Sequence, residues 1–167
     1  MTDTTLAQML RVARERDERS RYLRGDVADL GACVGADAMG TYDMVVSVYT
    51  LRNFSDATEA NEQMLAALRP GGTLLLLDAS PPEEGDWIAQ CLTQILQLWL
   101  GVCVPWLASF MGSEGRAYRY LAASVQGTRP ASRVAAELEG MGCSDVKVSK
   151  YFFGACCRVT AVKPGAS

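Results

Sequence analysis

An α/β fold built around a parallel sheet is what this sequence predicts, and three observations carry the prediction. Met44–Val48 and Thr73–Leu77 are short apolar runs, the first rich in β-branched residues, of the kind that form strands buried on both faces. Between them, Ala57–Leu68 is made of helix formers, with Ser55 or Asp56 placed to cap the first turn and Arg69-Pro70-Gly71-Gly72 placed to stop the last. Two such strands joined by one helix make a βαβ unit, which implies a right-handed crossover and a parallel sheet covered by helices on both faces.

The other elements follow in chain order. Thr2–Arg16 reads as a helix, because Leu6, Met9, Leu10, Val12 and Ala13 form an apolar stripe at helical spacing; no signal or transit segment is expected ahead of it. Tyr22–Arg24 reads as a short strand, Gly25–Leu30 as the turn that follows, and Gly31–Gly40, small and nearly uncharged, as a surface loop. Beyond the βαβ unit, Trp87–Gly112 contains no charged residue, a length that invites a membrane span. Gln90, Thr93, Gln94, Gln97, Pro105 and Ser109 interrupt it, however, and Leu92, Ile95, Leu96, Leu98, Trp99 and Leu100 suit a helix packed on a sheet, so no transmembrane segment is expected. Arg129-Pro130 opens a helix over Ala131–Met141 that Gly142 ends, and Val146–Phe153 and Ala155–Val162 are the last two strands, paired antiparallel.

Composition narrows the function. At 167 residues and 49% hydrophobic content, one domain with a substantial core is expected over 1–167. A net charge of -3 argues against a nucleic-acid partner, and the arginines from Arg11 to Arg24 alternate with Glu15, Asp17 and Glu18 as on a solvated helix face. Six cysteines lack any CxxC spacing, so reduced core thiols are expected and no metal site. The chain has no histidine, which removes the commonest general base and metal ligand.

Leu51-Arg52-Asn53-Phe54, the Arg69-Pro70-Gly71-Gly72 stop and Tyr118-Arg119-Tyr120-Leu121, in that order, resemble class I S-adenosylmethionine (SAM) methyltransferases, and among them the UbiE-type C-methyltransferases of quinone biosynthesis. That resemblance implies a Rossmann-like class I methyltransferase sheet that ends in a C-terminal antiparallel strand pair, with Gly154–Pro164 as the closing strand. It also implies that the amino-terminal part of the domain, with its glycine-rich SAM loop, is missing, so that the sheet is incomplete at the N-terminus. The activity implied is SAM-dependent C-methylation of a polyprenylated quinol ring, benzoquinol or naphthoquinol, in ubiquinone or menaquinone biosynthesis.

The residues carried over by resemblance are these. Asp26 and Val27 would hold the adenine of SAM, and Val48 would meet the cofactor where the family commonly has a serine, since Ser47 should point the other way. Arg52 and Asn53 would carry the chemistry: an arginine is a poor base, so Arg52 would stabilise a phenolate and position a water, with Asn53 orienting substrate or water. The alternative is an ion pair between Arg52 and a surface carboxylate, with Asn53 capping the helix. Tyr49, Tyr118, Arg119 and Tyr120 would lie on the substrate side, within or beside a helical lid over 83–125 that admits the polyprenyl tail, with interfacial contact by Trp99 and Trp106. Partners expected on this basis are the quinol, a second copy or a quinone-biosynthesis complex, and peripheral contact with a membrane. The location would be cytoplasmic in a bacterium, or the matrix side of the mitochondrial inner membrane in a eukaryote. The competing function is a non-catalytic methyltransferase-like subunit that serves as an interaction module in such a complex.

Overall fold

In a computed structural model of the chain, the residues described are 3–81, 90, 91, 94, 95 and 128–165. Helix α1 spans Asp3–Arg16, and Arg14 Nη2 donates to the Tyr22 carbonyl at 3.1 Å. Tyr22–Arg24 is not a strand. It finds no ladder partner among the described residues, and an extended segment becomes a strand only through a neighbour's N–H and C=O groups. The expected loop over 31–40 is also more ordered than its composition suggested. It contains α2 (Leu30–Val34), capped by Asp29 Oδ1 accepting from Ala32 N, and a 3-10 turn over Ala36–Ala38.

Strand β1 (Tyr42–Val48) pairs in parallel with β2 (Leu68–Ala79), Val45 beside Leu74, and α3 (Ala57–Ala67) makes the crossover. Of the two candidate caps, Asp56 serves: its Oδ1 accepts from Thr58 N and Glu59 N. Arg69-Pro70-Gly71-Gly72 ends the helix and itself enters the sheet, where Gly71 N donates to the Lys163 carbonyl at 3.0 Å. Gly71 sits at φ +75°, where a side chain would be strained. Helix α4 (Ala131–Gly140) then leads to β3 (Ser144–Tyr151), and β4 (Cys156–Val162) inserts between β2 and β3, antiparallel to both. The sheet order is β1-β2-β4-β3.

The core lies on one face of this sheet. Leu74 and Leu76 of β2 stand beside Ala161 and Val159 of β4, and this row packs on Ala60, Met64 and Leu65 of α3 and on Val134 and Leu138 of α4. Helical cover on both faces is therefore not what the described residues form. Nor is β1 buried on both sides. Val45 and Ser47 face the helices, whereas Met44, Val46 and Val48 face away and are 52%, 54% and 45% exposed. The strand is the edge of the described sheet and has the inside-outside alternation of a strand covered on one face. Adjacent Cys156 and Cys157 point to opposite faces, with Cys157 in the core; neither is in a disulfide, and nor are Cys33, Cys91 and Cys143.

No helix among the described residues is long and apolar enough to cross a membrane. The expected lid over 83–125, with Trp99, Trp106, Tyr118, Arg119 and Tyr120, lies outside the described residues apart from 90, 91, 94 and 95.

Candidate functional site

Because β1 and β2 run parallel, Val48–Asn53 and Asp78–Ser80 emerge at the same carboxyl rim of the sheet, where open α/β folds bind ligands. Tyr49 N donates to the Leu77 carbonyl at 2.8 Å, and the backbone then turns through φ +54° at Tyr49 itself. That is a costly conformation for a bulky residue, and such strain concentrates at functional positions. The turn delivers the chain into a 3-10 segment, Leu51–Asn53, just ahead of the Asp56 cap.

Arg52 is largely buried in this turn. Its Nη1 lies 4.0 Å from Asp78 Oδ1, and its guanidinium carbon sits 5.7 Å from the centre of the Tyr49 ring, within cation–π range. The carboxylate that Arg52 meets is thus the buried end of β2 rather than a surface group, and the cap of α3 is Asp56 rather than Asn53. Asn53 is exposed, with its backbone N–H donating to the Thr50 carbonyl at 2.9 Å. The Tyr49 hydroxyl and the Cys156 sulfur are 3.4 Å apart; this contact first, and burial second, hold the phenol above the usual tyrosine range, so Tyr49 stays a neutral hydrogen-bonding group.

From the sequence, the segment from Asp78 to Pro81 is expected to face the site, since ligands lie beyond the carboxyl ends of parallel strands, but no chemical role follows for Asp78 itself. Its Oδ1 accepts from Ala79 N at 2.8 Å. Behind it, between α3 and α4, is a cavity of about 240 Å³ lined by Arg52, Asp78, Phe54, Asn61 and Arg129. Arg129 is anchored by both oxygens of Glu137 at 3.0 Å and by Thr58 Oγ1 at 3.3 Å.

On the other side of Phe54, Arg24, Gly25, Asp26 and Val27 line an open groove of about 630 Å³. The loop closes tightly there: a Cβ on Gly25 would meet the Cys33 sulfur at 1.9 Å, and Cys33 itself donates to the Asp29 carbonyl. Asp26 is exposed, with Oδ1 accepting from Ala28 N, and Val27 packs against the core. Phe54, the Asp26 carboxylate and the backbone of Gly25 and Val27 thus share this groove. Val48 stands half-exposed at the end of β1, while the Ser47 hydroxyl is turned inward to Thr50 Oγ1. The structure therefore brings Tyr49, Arg52 and Asp78 together on one rim, with Asp26 and Val27 across Phe54. Tyr118, Arg119 and Tyr120 lie outside the described residues.

Comparison with known proteins agrees with this architecture. The solved CurJ carbon methyltransferase superposes with a TM-score of 0.60 at 14% identity, over 95% of this chain and 40% of that one, which shows a shared class I methyltransferase fold. Among curated relatives, the demethylmenaquinone methyltransferase of Bacteroides fragilis is 23% identical over 93% of this chain. The ubiquinone/menaquinone biosynthesis C-methyltransferase UbiE of Desulfotalea psychrophila is 28% identical over 70% of this chain. The matched region spans 62% and 46% of the lengths of those two relatives. A family model described as the ubiE/COQ5 methyltransferase family matches residues 3–163, and the chain belongs to that family.

Proposed function

We propose that this chain takes part in SAM-dependent transfer of a methyl group to a ring carbon of a polyprenylated quinol. The observation that carries the proposal is the buried Arg52 guanidinium at the sheet's carboxyl rim, beside Asp78 and over Tyr49. Ring carbon becomes nucleophilic when a neighbouring hydroxyl ionises. A phenol with a pKa of about 10 resists this at pH 7 by about 4 kcal/mol, three pKa units at about 1.4 kcal/mol each. A guanidinium about 4 Å from the oxygen, at an effective dielectric of about 20, supplies about 4 kcal/mol. The two magnitudes match for the guanidinium taken alone; Asp78 beside it offsets part of the attraction, and Arg52 lowers the cost of ionisation without exchanging a proton.

SAM, when bound, supplies an electrophilic methyl group on a sulfonium. Asp26 and Val27 would hold its adenine end, Val48 would pass under it, and Asn53 would orient the substrate or a water beside Arg52. Tyr49 would pack on the quinol side, continued by Tyr118, Arg119 and Tyr120. The relatives named are bacterial, which supports a cytoplasmic protein that meets its lipid substrate at the membrane surface. The test supplies the purified chain with SAM and a short-chain prenylated benzoquinol or naphthoquinol under reducing conditions. The expected products are the ring-methylated quinol and S-adenosylhomocysteine in equal amounts; SAM binding without any ring methylation would refute the proposal.

One observation favours a second reading, a non-catalytic module in a quinone-biosynthesis complex. The row Met44, Val46 and Val48 presents apolar surface on the edge strand, as an assembly face does. Such a module would bind its partner enzymes equally well after Arg52 is replaced.

A further inference from the structure

We propose that Tyr49 is a positioning residue that holds the Arg52 guanidinium back from Asp78 and so keeps its N–H groups free for the substrate oxygen; the role rests on the methyl transfer proposed for this rim. The charge pair it acts on is buried but open. The Arg52 and Asp78 side chains are 14% and 9% exposed, a setting in which unlike charges attract strongly, yet Nη1 stops 4.0 Å from Oδ1. A guanidinium and a carboxylate that are free to meet close to about 2.7–2.9 Å, often through two parallel hydrogen bonds. Closing would also satisfy Arg52 Nε and Asp78 Oδ2, which are both buried and without a hydrogen-bond partner among the described residues, and leaving such atoms unsatisfied is costly. An opposing attraction is therefore needed to hold the cation off.

The Tyr49 ring supplies it. The guanidinium carbon lies 5.7 Å from the ring centre, where the negative face of the ring attracts a cation. The ring is itself fixed in three ways. Tyr49 N donates to the Leu77 carbonyl at 2.8 Å, the backbone turns through φ +54°, and the hydroxyl lies 3.4 Å from the Cys156 sulfur. These tie Tyr49 to β2 and β4, so the ring is the fixed partner and the long arginine side chain the one that adapts. A bulky residue at that φ is strained; a glycine would relieve the strain but present no ring.

The spacing matters to the chemistry. Held at 4.0 Å, Arg52 feels Asp78 as a neighbouring charge while its N–H donors remain for a phenolate oxygen. Closed onto Asp78, the same guanidinium would give two donors to the carboxylate and present a neutral pair to the substrate. Tyr49 is 43% exposed, so part of the ring stays open beside the quinol while it holds Arg52.

The test measures equilibrium binding of 4-nitrophenol, at a pH where the free probe is ionised, together with kcat for ring methylation. Tyr49→Leu should weaken phenolate binding and lower kcat by about tenfold each, the equivalent of about 1.4 kcal/mol, whereas Tyr49→Phe keeps the ring and should stay within about threefold of the parent. A tyrosine that only supports the fold adds its effect to any other substitution; a positioning tyrosine acts only while both charges are present. Tyr49→Leu should therefore change neither quantity in an Arg52→Met background, and should lose most of its effect in an Asp78→Asn background. Additive effects in either background, a Tyr49→Leu protein that matches the parent, or a Tyr49→Phe protein as impaired as Tyr49→Leu overturns the role of Tyr49 alone. Absence of phenolate binding in the parent, or an Arg52→Met protein that matches the parent, overturns the Arg52 reading and this role with it. If Tyr49→Leu does not fold, the parent decides: its Arg52 side-chain proton signals should be displaced upfield by the ring current of Tyr49 and stay so in Tyr49→Phe, and undisplaced signals overturn the role.

Discussion

Replacing Arg52 by methionine removes the guanidinium and keeps most of the side-chain volume, so its consequences can be worked from the geometry. About 4 kcal/mol of attraction to a phenolate is lost, which corresponds to a fall of about 10³ in kcat/KM. The loss should appear in kcat, because the attraction is felt by the ionised ring rather than by the neutral quinol that binds. Stability falls too, because Asp78 is left buried without its counter-charge, a condition that costs roughly 3–5 kcal/mol out of a typical total of 5–15. The double variant Arg52→Met with Asp78→Asn separates the two effects: it should recover most of the stability, since the lone charge is gone, and none of the rate. Arg52→Lys keeps the charge but cannot face Asp78 and lie over Tyr49 with one planar group, and should fall between, about tenfold below the parent. Initial rates of ring methylation, measured well below each variant's melting point, give the answer. An Arg52→Met protein that is folded and keeps kcat/KM within about tenfold of the parent refutes the electrostatic role.

Asp56→Ala removes the acceptor for Thr58 N and Glu59 N and should cost about 1 kcal/mol, a fall in Tm of about 2–4 °C by thermal melting. Leu138→Ala empties a fully buried position between α4 and the sheet and should cost about 2–5 kcal/mol in urea unfolding. Tyr49→Phe acts on the alkaline side: a phenol raised in the folded state contributes stability that is full below about pH 10 and lost as pH climbs through its raised value. The phenylalanine variant should therefore lose stability less steeply than the parent above about pH 10, and an unchanged slope counts against the Tyr49–Cys156 contact.

Elements with strong local signals were legible in the sequence. The helix of the βαβ unit carries its own cap at Asp56 and its own stop at Pro70-Gly71, and the strands around Leu74 and Val159 are apolar whatever surrounds them. What failed depended on neighbours. Tyr22–Arg24 has strand-like residues but no partner to pair with, and the 31–40 segment coils because Asp29 caps it and Cys33 seats against Gly25, contacts that composition does not reveal. The two-sided burial expected of Met44–Val48 was read from residue type alone, and the one-sided cover of the described sheet overrode it. The site divides the same way. The turn through Arg52 stands out as a motif, but Asp78 and Asn61 line a cavity that only packing creates.

That cavity follows from the same alternation that builds the core. Along β2 the inward positions are Leu74, Leu76 and then Asp78, so the period that buries two leucines under α3 and α4 also turns the next inward side chain, a carboxylate, toward the space those helices leave at the rim. Leu77, one residue earlier, faces the opposite side. A one-residue slip of β2 against β1 and β4 would put Leu75 and Leu77 into the core and swing Asp78 out, away from Arg52. The apolar packing of Leu74 and Leu76 is thus what fixes the register of the charge pair. A destabilising change at Leu76 should weaken the Arg52–Asp78 pairing before the sheet unfolds, although Leu76 touches no substrate.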